Sequence, residues 1–104
     1  MSRFIELVLT CGSWQEAQTI ADALLDKKLV ACVEFFDIKS KYHWQGQLEE
    51  AKEVKLIMQS VEANFAKVEA VVKKLHSYEA PALHAVPISQ ITEQASKWLK
   101  AETE

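Results

Sequence analysis

The chain has 104 residues, 49% apolar and 26% charged, with 12 basic and 15 acidic side chains for a net charge of -3. That profile excludes a disordered polymer and leaves room for one hydrophobic core, so a single domain over residues 1–104 is expected. Lysines standing singly or in pairs exclude the dense basic face that nucleic-acid phosphates need, and no apolar run approaches the roughly 20 residues of a membrane span.

Met1-Ser2-Arg3-Phe4 leads straight into a strand pattern without a signal-peptide apolar region, so a cytoplasmic protein is expected. Phe4 to Thr10 is short, rich in strand formers and nearly all apolar, the pattern of a central strand covered on both faces. Gly12-Ser13 ends it, and Ser13-Trp14-Gln15-Glu16 matches a capping box that opens a helix running to about Lys28. Ala17, Ile20, Ala21, Leu24 and Leu25 share one face of that helix, and Lys27-Lys28 suits its terminal dipole.

Leu29 to Phe36 reads as the second strand. Asp37-Ile38-Lys39-Ser40 is expected to interrupt it as a bulge or loop before Lys41 to Trp44 resumes it. Gln45-Gly46 makes a hairpin turn, and Glu53 to Ser60 alternates as the third strand. A second helix is expected over Val61 to His76, with Phe65, Val68, Val72 and Leu75 at helical spacing. Pro81 keeps Ala80 out of helical geometry. Leu83 to Ile88 is the fourth strand, which Pro87 confines to an edge position or to the strand's end. A last helix from about Thr92 to Ala101 offers Ala95, Trp98 and Leu99 as a small apolar face, followed by a charged tail expected to fray.

Two strand-helix-strand halves joined by a central hairpin predict an α+β fold, a ferredoxin-like βαββαβ sandwich with an extra C-terminal helix. Its helices cover one face of the sheet. Strands one, two and four are apolar on both parities, so the other face is expected to be buried by further copies of the chain.

Each residue able to carry chemistry has a plain structural alternative. His76 stands at a helix end before Ser77-Tyr78-Glu79, as a cap or as a cleft residue with Glu79 for a partner. His84 alternates into a strand, which suits packing or an interface, and His43 between Tyr42 and Trp44 is expected to face water. No histidine has a second ligand at i, i+4, so spacing implies no preformed zinc site. Cys11 and Cys32 are too few and too far apart for a disulfide framework and form no CxxC; two reduced core residues are the simpler reading. Their thiolates would suit copper if they converged, for instance across a subunit boundary. Trp44, Glu49 and Glu50 cluster at the hairpin, either as a ligand site or as a rim packed on a neighbour. No nucleophile triad, phosphate loop or paired-carboxylate signature appears, so no enzymatic reaction is expected.

The order of Val30-Ala31-Cys32-Val33, Tyr42-His43-Trp44-Gln45-Gly46, Glu49-Glu50, Glu53-Val54, Leu75-His76-Ser77-Tyr78-Glu79-Ala80-Pro81, Val86-Pro87-Ile88 and Trp98 resembles the CutA family of divalent-cation tolerance proteins over nearly the whole chain. The resemblance implies a cytoplasmic homotrimer similar to PII signalling proteins, linked to copper or another divalent cation, with ligand clefts between subunits. By position it implies ligand-binding roles for Trp44, Glu50, His76, Tyr78 and Glu79, and metal-binding roles for Cys32, Cys11 and His76. A PII-like module that binds a small molecule or a protein partner without metal is the alternative. The chain departs from the family pattern at several places. Leu9 stands where the first-strand cysteine is expected, with Cys11 two residues on. Leu75 replaces a copper-associated histidine, Ser77 a proline, Ala82 an acid and Gln59 a lysine, and Phe36-Asp37-Ile38-Lys39 replaces a Pro-Gly. These departures make it a divergent member.

Overall fold

The computed structural model describes residues 3–104, so the reading of Met1-Ser2 lies outside the described residues. The elements are β1 (Phe4–Cys11), α1 (Trp14–Asp26), β2 (Cys32–Trp44), β3 (Gln47–Val61), one 3-10 turn (Glu62–Asn64), α2 (Phe65–Leu75), β4 (Leu83–Pro87) and α3 (Glu93–Glu102). The four strands form one sheet in the order β2-β3-β1-β4, every pair antiparallel. This is the ferredoxin-like arrangement with an added C-terminal helix.

β1 is central, as its composition predicts, but only one of its faces is fully buried. Ile5, Leu7, Leu9 and Cys11 alternate into a core completed by Val54, Leu56 and Met58 of β3, Ala17, Ile20 and Leu24 of α1, and Val68 and Val72 of α2. On the opposite face Val8 and Ile57 are half-buried, while Phe36 and Val86 are each 44% exposed. α3 packs on β3 and buries Leu99 outside the main core cluster, leaving Trp98 exposed. Glu6, Glu34, Lys55 and Gln59 share that face, so the surface anticipated from the double-parity strands is mixed, with apolar side chains set among charged and polar ones.

α1 starts on the expected cap, the Ser13 hydroxyl accepting from Glu16 N at 3.1 Å. It ends two residues early because Lys28 adopts φ 57, with Lys28 N donating to Leu25 O and Leu29 N to Leu24 O, both at 3.0 Å. That is a Schellman stop, and its apolar follower Leu29 packs in the core cluster with Leu24. Leu29 and Val30 are spent on the connection, so β2 begins at Cys32 rather than Leu29.

β2 and β3 then pair one to one from Cys32↔Gln59 to Trp44↔Gln47. The interruption expected at Asp37–Ser40 does not occur, and β3 begins at Gln47 rather than Glu53. β1 ends opposite Val54, so residues 38 to 53 form a two-stranded arm beyond the sheet. Backbone and polar side chains there meet water, which is why polar residues do not break the strand. Asp37 also accepts from Trp14 Nε1 at 2.6 Å, and Lys39 pairs with Glu50 at 2.8 Å. Gln45 and Gly46 close the arm with φ of 50 and 80, the left-handed pair of a type I′ turn.

Val61 belongs to β3, pairing with Phe4, so the second helix starts at Phe65 after the 3-10 turn. β4 is an edge strand paired only with β1, and Pro87 is its last residue. α3 is capped by Thr92, whose hydroxyl accepts from Ala95 N at 3.3 Å. It continues to Glu102, where the Thr103 hydroxyl donates to Leu99 O at 2.8 Å, so the expected fraying tail is helical almost to its end.

Candidate functional site

Two groups of polar residues lie where β1 ends and the arm leaves the sheet. The first is Cys11, Glu16 and His76, whose ligand-type atoms lie within 4.8 Å of one another. β1 delivers Cys11 as its last residue, the first turn of α1 delivers Glu16, and His76 is the C-cap of α2. Their side chains are engaged. His76 Nε2 lies 2.7 Å from Thr10 O, and its Nδ1 accepts from Tyr78 N at 3.0 Å. Since a carbonyl only accepts, this pair of partners places the ring proton on Nε2. Glu16 does not fold back to the Ser13 backbone as a capping box would; Oε1 accepts from Gly12 N at 2.9 Å and Oε2 from Ser77 N at 2.8 Å. Burial works to raise the Glu16 pKa, but the hydrogen bonds from Ser77 and Gly12 outweigh it and hold the carboxyl below 4.5. Burial, with the charges of Glu16 and Glu53 behind it, pushes the Cys11 thiol up to about 12.

Ser77 stands where the family pattern has proline. Proline has no backbone N–H, so the Ser77–Glu16 bond is a product of this departure. Leu9, at the expected cysteine position, is a fully buried core residue, and Cys11 two residues on shares its face. Leu75 is 37% exposed. Ala82 contributes its carbonyl to Thr10 N at 3.4 Å.

The second group lines a cleft of about 710 Å³ formed by Thr10, the arm residues Ser40 to Tyr42, Trp44 and Glu53, and the loop Ser77 to Ala80 with Ala82. Tyr78 is its hinge: the phenol donates to Glu53 Oε2 at 2.6 Å, and its ring lies 4.7 Å from that of His76 at an angle of 59°. Burial and the Glu53 carboxylate both raise the Tyr78 pKa. Gly12 permits this seat, because a Cβ there would meet the Tyr78 ring at 3.1 Å.

The structure thus brings Trp44, Tyr78 and Glu79 to one cleft. His76 sits in the first group with its side chain fully buried, and Glu50 is held by Lys39 and does not line the cleft. Cys32 pairs with Gln59, on the sheet face opposite Cys11, and its thiol contacts Gln59 Oε1 at 3.7 Å. Within one chain the two cysteines do not converge. His43 is exposed as expected, and His84 is exposed at the edge strand rather than packed within the chain. Glu16 and Glu53 were not legible as site residues: one reads as half of a cap and the other as the start of an alternating strand.

A thiol, a carboxylate and an imidazole are the donor types that suit copper or zinc. In this arrangement both imidazole nitrogens and both Glu16 oxygens are already hydrogen-bonded. Burial pushes the Cys11 thiol up to about 12, which disfavours the thiolate that a metal needs, and a metal on this set would displace the hydrogen bond at one imidazole nitrogen and at least one of those at Glu16. The cluster as it stands is hydrogen-bonded rather than preorganised for a metal.

Residues 5–102 match the family model of the CutA1 divalent ion tolerance protein. The chain is 39% identical over 98 residues to the divalent-cation tolerance protein CutA of Archaeoglobus fulgidus, covering 94% of this chain and 96% of that one. It is 35% identical over 98 residues to the protein of the same name from Thermus thermophilus, covering 93% and 95%. Among solved structures, the A. fulgidus protein, described as periplasmic, superposes with a TM-score of 0.93 over all of both chains at 39% identity. CutA1 from Oryza sativa gives 0.94 at 28% identity, covering 98% of this chain and 94% of that one. The matched segment holds all but the first residue of β1, every later element to α3 and both polar groups around Tyr78, and the chain belongs to the CutA1 divalent ion tolerance family.

Proposed function

We propose that this chain, a single domain, acts as a cytoplasmic homotrimer in the response to divalent metal ions and binds copper or another divalent cation. The observation that carries the metal reading is the Cys11, Glu16 and His76 cluster, the one group of three such donors among the described residues, in a family named for divalent-cation tolerance. The role is binding rather than catalysis. Trimer formation is supported by the partly covered sheet face and by the arm, since a two-stranded ribbon is marginal without packing partners. Both cysteines are free thiols, which suits a reducing compartment.

Calorimetric titration of reduced protein with Cu(I), Cu(II) and Zn(II) tests the metal reading. Binding that falls in both Cys11→Ala and His76→Ala supports it. Uptake unchanged in both variants rejects the cluster, and loss on Cys32→Ala alone moves the metal to Cys32 at a subunit boundary. Light scattering tests the trimer, and a 11.8 kDa species at micromolar concentration rejects it.

A second reading is favoured by the saturated hydrogen bonding of that cluster beside an open cleft. Here the cleft of Trp44, Tyr78 and Glu79 serves a PII-like module that binds a small molecule or docks a protein partner. A thermal-shift screen tests it, because a ligand at 100 times its dissociation constant adds about 2.7 kcal/mol. An empty screen together with the absence of any co-purifying partner rejects it.

A further inference from the structure

Glu53 is a carboxylate only 6% exposed, sited in the wall of the cleft. Its Oε2 takes the Tyr78 hydroxyl. Its Oε1 has no hydrogen-bond partner among the described residues, and no fully buried side-chain oxygen among them is left unpaired, so Oε1 opens onto the cleft. That leaves one oxygen of an otherwise buried carboxylate accessible in the cleft, where a cation would meet its charge in a partly desolvated setting. Three of the ten other lining residues are aromatic, Tyr42, Trp44 and Tyr78, and Glu79 adds a second acid against the single cation of Lys41.

We propose that this cleft binds a small organic ammonium ion, its nitrogen held by Glu53 Oε1 among the rings of Tyr42, Trp44 and Tyr78. The inference rests on the cleft reading and names its ligand class. A carboxylate beside aromatic rings is the arrangement that recognises amines and quaternary ammonium groups, through charge and the negative ring faces. About 710 Å³ also lies within the roughly 300–1,000 Å³ usual for small-molecule sites. A bare divalent cation is disfavoured, because hard cations collect about six or more oxygens and Glu53 belongs to no cluster of three metal-type donors among the described residues.

The test uses the assembled protein, with choline chloride as the cationic probe and 3,3-dimethylbutan-1-ol as its neutral counterpart. Binding is followed by tryptophan fluorescence and by calorimetry. Choline is expected to saturate, with the neutral alcohol at least about tenfold weaker. Glu53→Gln keeps an oxygen for Tyr78 but removes the charge, and is expected to weaken choline at least about tenfold. Trp44→Leu, at an exposed position, provides a second variant with its own expected loss of affinity. Equal binding of the two probes, or choline binding unchanged in both variants, overturns the ammonium inference while leaving the cleft a ligand site. No saturable choline binding overturns the inference too, and the thermal-shift screen then decides the cleft reading separately.

Discussion

Glu16 ties the start of α1 to the loop after α2, and its removal gives a measurable test of the bond at Ser77. In Glu16→Ala, Gly12 N and Ser77 N lose acceptors at 2.9 and 2.8 Å. Bonds to a charged group are worth about 1.5–3 kcal/mol when buried, but both amides belong to exposed residues, so water recovers part of each. The net loss is about 2 kcal/mol, on the order of 10 °C in Tm for a domain of this size. Ser77→Pro deletes only the second bond, and His76 at φ -79 and ψ 141 already has the extended conformation that precedes proline. Urea unfolding at fixed protein concentration of wild type, both single variants and the double variant is expected to return a coupling of about 1 kcal/mol. The pH dependence has a defined sign. The folded-state pKa of Glu16 lies below 4.5, so its contribution is complete above that value and fades as pH falls through the folded pKa. The gap between wild type and Glu16→Ala should therefore hold constant down to about pH 4.5 and shrink below it. A gap under about 0.5 kcal/mol at neutral pH, or an undiminished Glu16→Ala cost in the Ser77→Pro background, would refute the assigned tie.

The Ser60 hydroxyl donates to Leu29 O at 2.5 Å in a fully buried site, but Asn64 Nδ2 reaches the same carbonyl at 3.2 Å. Ser60→Ala should cost only about 1 kcal/mol in urea unfolding, and adding Asn64→Ala should cost more than the sum of the singles because the carbonyl is then orphaned. A thiol reagent at mildly alkaline pH should spare Cys11, which is buried and pushed up to about 12, in the native protein and reach it only after denaturation. Two equivalents per denatured chain and at most one per native chain is the expected count, the half-buried Cys32 thiol being raised by burial as well, and rapid labelling of both in the native protein would contradict it. At the arm's turn, Gly46 has φ 80 with open space around it, so Gly46→Ala should lower stability by about 1 kcal/mol through backbone strain alone. Gln45→Asn, at φ 50, should raise it by a few tenths of a kcal/mol, and both are read from thermal melts.

The fold was largely legible because its signals are local. The Ser13 cap, the central position of β1 and the end of β4 at Pro87 all appear where the sequence places them. The errors fall where a long-range condition decides. Asp37 to Ser40 read as a break because polar residues interrupt an apolar strand, yet they lie largely on an arm whose backbone meets water. Leu29 and Val30 read as strand because nothing local reveals that Lys28 takes a left-handed conformation. The site was half legible. Trp44, Tyr78 and Glu79 share a cleft, whereas Glu16 meets Ser77 across 61 positions and Glu53 meets Tyr78 across 25, separations that no spacing rule reads.

The projecting arm also constrains how copies of this chain can meet. Beyond β1 its strands have bare outer edges, an open invitation to stack into fibrils. Lys39, Lys41 and Lys52, with Glu49 and Glu50, sit along the arm, and charged side chains on an exposed edge oppose its pairing with a further strand. Contacts that close on themselves leave no such edge to extend, so an assembly that seats the arm against a neighbour ends in a finite ring rather than an endless ladder.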